Sequence, residues 1–71
     1  MLRWLSLHHN NIKLIPTSIE NLTVLMYLYL NDNEIQELPK EMSKLRNLSI
    51  LRLENNKIND IPENFKDIIR K

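Results

Sequence analysis

Hydrophobic residues recur along this chain at an interval of 23 residues. Shifting the sequence by that interval aligns leucine with leucine at three positions of each unit, which are Leu2, Leu25 and Leu48; Leu5, Leu28 and Leu51; and Leu7, Leu30 and Leu53. An isoleucine and an aliphatic residue followed by proline repeat in the same way, at Ile12, Ile35 and Ile58 and at Ile15-Pro16, Leu38-Pro39 and Ile61-Pro62. Such a period is typical of stacked repeats, because one unit cannot bury its own hydrophobic face and a stack of units can.

The hydrophobic period changes within each unit. Leu5-Ser6-Leu7 and its equivalents alternate with a period of two, which predicts a short strand with one buried face. Beyond the proline the spacing becomes three, as between Ile19 and Leu22, which predicts a helical or 3₁₀ turn. We expect the proline at the first helical position, since its fixed φ suits a helix and its missing N–H has no partner there. Each unit is therefore predicted to form a strand, a bend and a short return segment.

The full unit follows the pattern LxxLxLxxNxIxxLPxxIxxLxx, as in the segment that starts at Leu25 and continues through Pro39, Met42 and Leu45. This pattern resembles the leucine-rich repeat family over nearly the whole chain. The Leu-Pro step and the 23-residue length resemble the intracellular class found in Ras-suppressor-like scaffold proteins. The resemblance implies an α/β solenoid with three short parallel strands on its concave face and short helical or 3₁₀ return segments on its convex side.

We expect residues 1–71 to form a single segment of such a solenoid, with repeats at 1–24, 25–47 and 48–71. The chain starts directly on the strand pattern, and Lys71 stands where the earlier repeats have Leu25 and Leu48. End repeats expose leucines that inner repeats cover, so we expect either a piece of a longer array or self-association through the exposed ends. Three strands present roughly a few hundred Å², well short of the ~800 Å² per partner of a stable interface, which predicts weak binding by the segment alone.

Composition excludes several classes of protein. With 42% hydrophobic and 27% charged residues, the chain is typical of a folded domain rather than a disordered one. A net charge of +1, dispersed over the repeats, does not supply the basic stripe that nucleic-acid binding needs. The chain has no cysteine for disulfides or thiolate metal sites, and no apolar run reaches the ~18 residues of a membrane span. We expect a cytoplasmic protein without a cofactor and without membrane insertion.

The chain has no glycine, but an asparagine stands at the same point of each unit, at Asn10, Asn33 and Asn56. A turn without glycine needs side-chain amides to pair with backbone donors and acceptors. These residues follow the strands, so we expect a structural role for them. The family resemblance implies a stacked asparagine ladder along the bends.

The candidate binding residues occupy the variable positions that flank the strand leucines. Their side chains alternate away from the core, so neighbouring strands bring them into columns about 4.8 Å apart on the concave face. The columns are Trp4, Tyr27 and Ile50; Ser6, Tyr29 and Arg52; His8, Asn31 and Glu54; and His9, Asp32 and Asn55. Three of the four aromatic residues lie here, and tryptophan, tyrosine and arginine are enriched in interface hot spots.

We predict a binding set centred on the aromatic residues and the arginine, consisting of Trp4, Ser6, His8, His9, Tyr27, Tyr29, Asp32, Ile50, Arg52 and Glu54. The alternative is that the aromatic and β-branched members stabilise the sheet through cross-strand packing. The two roles are compatible.

The histidines do not indicate a metal site. Adjacent residues of a strand point to opposite sides unless the chain is already bending, and no three good ligands converge at a reliable spacing. We favour a pH-sensitive contact of His8 or His9 with Asp32 or Glu54, because imidazole titrates near neutrality. Ser6, His8 and Glu54 lie on open strands without a pocket or an oxyanion site, so we do not expect an enzyme.

The sequence therefore predicts a protein–protein interaction module that binds a partner through its concave face. The family resemblance implies signalling proteins as partners. One alternative is a designed or truncated repeat unit that only stacks or self-associates. A less favoured alternative is an extracellular recognition domain, which would require glycans at the sequons that begin at Asn21 and Asn47.

Overall fold

The computed structural model describes residues 2–70, and within them the chain forms four short parallel strands that alternate with three 3₁₀ helices. In chain order these are β1 (Trp4–Ser6), η1 (Thr17–Asn21), β2 (Tyr27–Tyr29), η2 (Lys40–Lys44), β3 (Ile50–Arg52), η3 (Glu63–Phe65) and β4 (Ile69–Arg70). The strands form one open sheet in the order β1-β2-β3-β4. Each unit thus adds one strand beside the previous one. The strand and the return helix follow in the order that the hydrophobic spacing of two and then three predicts.

The strand register reproduces the repeat in the first three strands and departs from it in the fourth. Leu5 pairs with Leu28, and Leu28 with Leu51, each 23 residues apart. Leu51 then pairs with Ile69, only 18 residues further on. The three predicted strands are therefore present, and the structure adds a fourth that the sequence does not predict. Helix η3 has three residues where η1 and η2 have five, and the two-residue strand β4 follows it. Lys71 lies outside the described residues, so its predicted alignment with Leu25 and Leu48 has no structural counterpart here.

The hydrophobic core lies between the strands and the return segments. Its fully buried members come from the second and third units, and they are Leu25, Leu28, Leu30, Ile35, Met42 and Leu51. Phe65 of the last unit is also buried, as its place in the pattern predicts. Leu2, in contrast, is expected in the core but is 44% exposed. The physical reason is that β2 and β3 have neighbouring strands on both sides, whereas β1 has a neighbour on one side only.

Each 3₁₀ helix begins one residue after its proline. The prediction that proline occupies the first helical position is wrong. Pro16, Pro39 and Pro62 have extended ψ angles of 150°, 144° and 141°, so each lies directly before its helix. Their φ angles, between −69° and −55°, suit either placement. The proline carbonyl oxygen accepts the first hydrogen bond of the turn, for example from the Ile19 N–H to Pro16 at 3.1 Å.

The bends after β1, β2 and β3 contain residues with a left-handed backbone. His9, Asp32 and Asn55 have φ angles of 58°, 62° and 59°. Glycine adopts this conformation at the lowest cost, and asparagine, aspartate and histidine are the other residues enriched in it. The chain has no glycine, so these side chains take the left-handed position of each bend, directly before the ladder asparagine.

Asn33 ties the second unit to the first. Its side-chain oxygen accepts a hydrogen bond from the Ile12 N–H at 3.1 Å, and its amide donates to the Leu7 carbonyl oxygen at 3.0 Å. The same amide also donates within its own unit, to the Leu30 carbonyl oxygen at 2.9 Å. Asn33 is buried, and these bonds pair its amide with backbone groups of both units.

The other two ladder asparagines differ in whether their side chains bond to the preceding unit. Asn56 repeats the inter-unit pattern: it accepts from the Ile35 N–H at 3.0 Å and donates to the carbonyl oxygen of the unit before. Asn10 is exposed, and among the described hydrogen bonds its side chain donates only within its own unit, to Leu7 and His8. Asn33 and Asn56 thus link neighbouring units of the ladder, whereas the described side-chain bonds of Asn10 stay within its own unit.

Candidate protein-binding surface

The side chains on either side of the central strand leucines form one surface, which we call the strand face: Trp4, Ser6, Tyr27, Tyr29, Ile50 and Arg52. The register aligns Trp4, Tyr27 and Ile50 in one row and Ser6, Tyr29 and Arg52 in the next. Between the rows, Leu28 and Leu51 turn into the core and are fully buried. The alternation of side chains along each strand therefore separates the core from this surface.

Trp4 packs against both tyrosines of β2. Its ring centroid lies 5.4 Å from that of Tyr27 and 5.6 Å from that of Tyr29, with interplanar angles of 59° and 66°. Tilted and edge-on geometries of this kind are the ones aromatic pairs prefer. The indole Nε1 donates a hydrogen bond to Ser6 Oγ at 2.9 Å, which orients the ring. Trp4 is nevertheless 55% exposed, so the aromatic cluster of Trp4, Tyr27 and Tyr29 is ordered by its own contacts and open to solvent.

Arg52 joins this aromatic cluster to the acidic residues beyond the strands. Its guanidinium carbon lies 5.4 Å from the centre of the Tyr29 ring, within cation–π range. Its Nη1 donates to Glu54 Oε2 at 3.2 Å. Both side chains are partly exposed, so the ion pair itself contributes little to stability. It does hold the guanidinium against the tyrosine and compensates its charge.

The residues that follow the strands form a second group, which we call the carboxyl edge: His8, His9, Asn31, Asp32, Glu54 and Asn55. Asp32 accepts hydrogen bonds from Asn55 Nδ2 at 2.7 Å and Asn31 Nδ2 at 2.9 Å, and His9 Nδ1 lies 3.3 Å from its Oδ2. The bond from Asn55, then that from Asn31, and to a lesser degree the nearby histidines hold the pKa of Asp32 below its ordinary value of 3.8, against the opposing effect of burial. Asp32 is therefore ionised at neutral pH.

Two buried oxygens of the carboxyl edge lack a hydrogen-bond donor within the described chain. Asn31 Oδ1 and Glu54 Oε1 are buried atoms without a hydrogen-bond partner among the described residues. A buried acceptor that lacks a donor is costly.

The structure places every residue of the predicted binding set on these two adjoining groups. Six lie on the strand face, and His8, His9, Asp32 and Glu54 lie on the carboxyl edge. Asn31 and Asn55 are absent from the predicted set, although their amides hold Asp32. Their positions in the same columns as the acidic residues are the sequence signal that points to them.

His8 and His9 lie beside each other at the carboxyl edge. Within residues 2–70, no group of three or more histidine, aspartate or glutamate side chains is arranged to hold a metal ion. The rings of His8 and His9 meet edge to face at 5.1 Å, and Ser6 Oγ accepts a hydrogen bond from Trp4. None of the helices described for this chain is long and apolar enough to cross a membrane.

An apolar groove of about 440 Å³ lies beside β1. Its walls include Leu5, Leu7, Ile12, Leu14 and Ile19. Leu14 is 76% exposed. The repeat pattern predicts uncovered leucines at this end of the sheet, but it does not point to Leu14, which lies outside the repeated hydrophobic positions.

A family model described as a leucine-rich repeat region matches residues 1–69. The chain belongs to the leucine-rich repeat family. Leucine-rich repeats are generally non-enzymatic modules, and membership indicates a role in protein interaction. Parallel strands in an open sheet with short 3₁₀ helices fit a segment of such a protein. The comparison with curated proteins finds no match.

Family membership separates two kinds of residue in this leucine-rich repeat chain. The residues that recur every 23 positions hold the fold: the leucines, the ladder asparagines and the prolines. The strand face and the carboxyl edge carry residues that differ between repeats. The curvature of a solenoid and the likeness to Ras-suppressor-like scaffolds stay predictions from the sequence.

Proposed function

We propose that this leucine-rich repeat segment binds a partner protein through its strand face. The proposal rests on the aromatic cluster of Trp4, Tyr27 and Tyr29, which presents ordered apolar surface to solvent. Tryptophan, tyrosine and arginine are the residues most enriched in interface hot spots, and Arg52 adjoins the cluster. The resemblance of the repeat, with its aliphatic residue followed by proline, to the intracellular class supports an intracellular setting, such as a signalling scaffold.

Stabilisation of the sheet is the competing explanation for the aromatic residues. It accounts well for Tyr27 and Tyr29, which are partly buried and pair across strands. It accounts less well for Trp4, because more than half of this side chain faces solvent. The exposure of Trp4 favours a binding role in addition to the structural one.

Affinity capture with the immobilised chain tests this proposal. The double variant Tyr27→Ala with Tyr29→Ala is expected to reduce retention of the captured partner at least about tenfold, because truncation of a hot spot costs about 2 kcal/mol or more. Leu14→Ala is the matched control, since it removes exposed apolar area away from the strand face. Retention that is unchanged in the double variant would overturn the proposal.

Self-association is a second candidate function, favoured by the apolar groove beside β1. Sedimentation velocity distinguishes it from partner binding. A dimer that grows with concentration and is weakened by Leu14→Glu would support self-association through the groove. A folded monomer at all concentrations would reject it.

A further inference from the structure

We infer that the partner segment is an extended peptide that carries an aromatic side chain and, four residues further along, a lysine or arginine. This inference rests on the proposed function and adds the chemistry of the ligand. The aromatic side chain packs on the cluster of Trp4, Tyr27 and Tyr29. The cation meets the carboxylates of Asp32 and Glu54 at the carboxyl edge.

The spacing of the two peptide groups follows from strand geometry. Asn31, at the carboxyl edge, lies four residues beyond Tyr27. At about 3.3 Å per residue this is a distance of roughly 13 Å along the strand direction. A peptide extended in that direction covers the distance with side chains at i and i+4. Both point to the same side, because side chains of an extended chain alternate with a period of two.

The aromatic end of the surface accepts a further ring. Trp4 already contacts Tyr27 and Tyr29 in tilted geometries, and its hydrogen bond to Ser6 fixes the indole before any ligand arrives. The 55% of Trp4 that remains exposed offers a ring face and edge of known orientation. A ligand aromatic ring adds the same type of contact without reorganising the cluster.

The carboxyl edge accepts a cation because it brings two partly exposed carboxylates together, those of Asp32 and Glu54. The side chains of Asp32 and Glu54 are 26% and 30% exposed, so each carboxylate is within reach of a ligand. Lysine and arginine carry only donors and form strong, charge-assisted hydrogen bonds with carboxylates.

An acidic ligand fits the same surface less well. The carboxylates of Asp32 and Glu54 outnumber the guanidinium of Arg52, which is bonded to Glu54 and packed on Tyr29. The backbone register sets Arg70 beside Arg52, but on β4, which lies on the far side of β3 from the aromatic cluster. A ligand anchored on Trp4 therefore reaches the carboxylates before it reaches β4.

Two synthetic peptides that differ at one position test the inference. The first probe is acetyl-Thr-Phe-Thr-Ser-Thr-Arg-Thr-amide, and the second has glutamate in place of arginine. Trp4 is the only tryptophan of the chain and the probes have none, so its fluorescence reports occupancy of the strand face. At pH 8, where imidazole is neutral, we expect the arginine probe to bind at least about fivefold more tightly, with a difference that shrinks as salt rises and screens the charges.

Charge-removing variants locate the cation. Glu54→Gln and Asp32→Asn are each expected to weaken binding of the arginine probe at least about threefold, since each removes one carboxylate from the carboxyl edge. Glu37→Gln is the matched control, because Glu37 is exposed and lies beside Pro39, away from the strand face. Circular dichroism establishes that each variant is folded, and the comparison of the two probes on the unaltered chain depends on no variant.

Equal affinity for the two probes would overturn the inference, as would equal loss of affinity in Glu54→Gln and Glu37→Gln. These results are separable from failure of the proposed function. If the probes bind equally and Tyr27→Ala with Tyr29→Ala still abolishes capture, the ligand chemistry is wrong and the proposed surface stands. If capture is also unchanged, both are wrong.

Discussion

Asparagine takes two structural roles at adjacent positions of the third repeat. Asn56 is a ladder residue that bonds backbone groups of the preceding unit. Asn55, its neighbour, adopts a left-handed backbone and donates its side-chain amide to Asp32 at 2.7 Å. The same residue type serves both roles because its short side chain offers a donor and an acceptor and tolerates the left-handed region. Surroundings, and not residue type, decide which role each asparagine takes.

The ladder predicts unequal effects for the same substitution at equivalent positions. Asn33→Ala leaves the Ile12 N–H and the Leu7 carbonyl oxygen without their side-chain partner, and we expect the free energy of unfolding to fall by about 2 to 3 kcal/mol. Asn10→Ala removes exposed bonds within one unit and is expected to cost less than about 1 kcal/mol. Urea denaturation measures both. Equal losses would show that the ladder does not link the repeats as described.

Asp32 makes the stability of the protein depend on pH in a defined direction. Hydrogen bonds from Asn55 and Asn31 depress its folded-state pKa below 3.8, so its contribution to stability is present above that value and is lost as pH falls through the folded pKa. We expect the Asp32 carboxyl, followed by NMR, to titrate below pH 3.8. Asn55→Gly keeps the left-handed backbone but removes the amide, and is expected to raise this pKa. Asn59→Gly, at an exposed position, is the control, and equal titration in both variants would contradict the assignment.

At the scale of single residues, the sequence predicts positions better than conformations. The repeat identifies Asn33 and the column that contains Asp32. It does not show that the left-handed residue is the one before the ladder asparagine, because aspartate, asparagine and histidine are common in several turn types. The backbone hydrogen bonds to the neighbouring unit, such as Asn10 N–H to the Asp32 carbonyl oxygen at 3.2 Å, settle this detail.

At the scale of elements, repeats with similar sequences are buried to different extents. Leu28 of β2 is fully buried, whereas its equivalent Leu5 of β1 is partly exposed. The difference comes from the number of neighbouring strands and not from the residues themselves. Stability is therefore distributed unevenly along the sheet, with its centre at β2 and β3.

Alanine substitutions at equivalent leucines test this uneven distribution of stability. Leu28→Ala is expected to lower the free energy of unfolding by about 2 to 5 kcal/mol, because it opens a cavity among fully buried side chains. Leu5→Ala removes a side chain that is already in partial contact with water, so we expect a loss below about 2 kcal/mol. Thermal and urea unfolding report both values. A larger loss for Leu5→Ala would contradict the described distribution of burial.

The hydrophobic spacings of two and three predict the strands and the return helices, but they do not predict the residues at which these elements begin and end. Leu28 and its neighbours alternate clearly enough to predict strands, and the spacing after each proline predicts a tight return segment. The placement of Pro16 depends on ψ, which proline does not fix. Strand β4 depends on the shortened return that precedes it and on pairing with β3, and neither is visible in the local pattern around Ile69.

At the scale of the whole molecule, the strands divide the chain into a side that repeats and a side that varies. Period-two alternation predicts which side chains share the strand face, since it depends only on backbone geometry. It does not predict the contacts within that face. The positions of Trp4 against the tyrosines and of Arg52 against Tyr29 and Glu54 depend on rotamers that neighbouring strands select together.

The central claim, that a partner protein docks on the strand face, is tested most directly by NMR. The isotopically labelled chain is titrated with the captured partner, and amide chemical shifts are followed along the backbone. We predict the largest changes at Trp4–Ser6, Tyr27–Tyr29 and Ile50–Arg52, with a change at the Trp4 indole N–H. Changes confined to the return segments Thr17–Asn21 and Lys40–Lys44, with the strand amides and the indole unaffected, would contradict the claim.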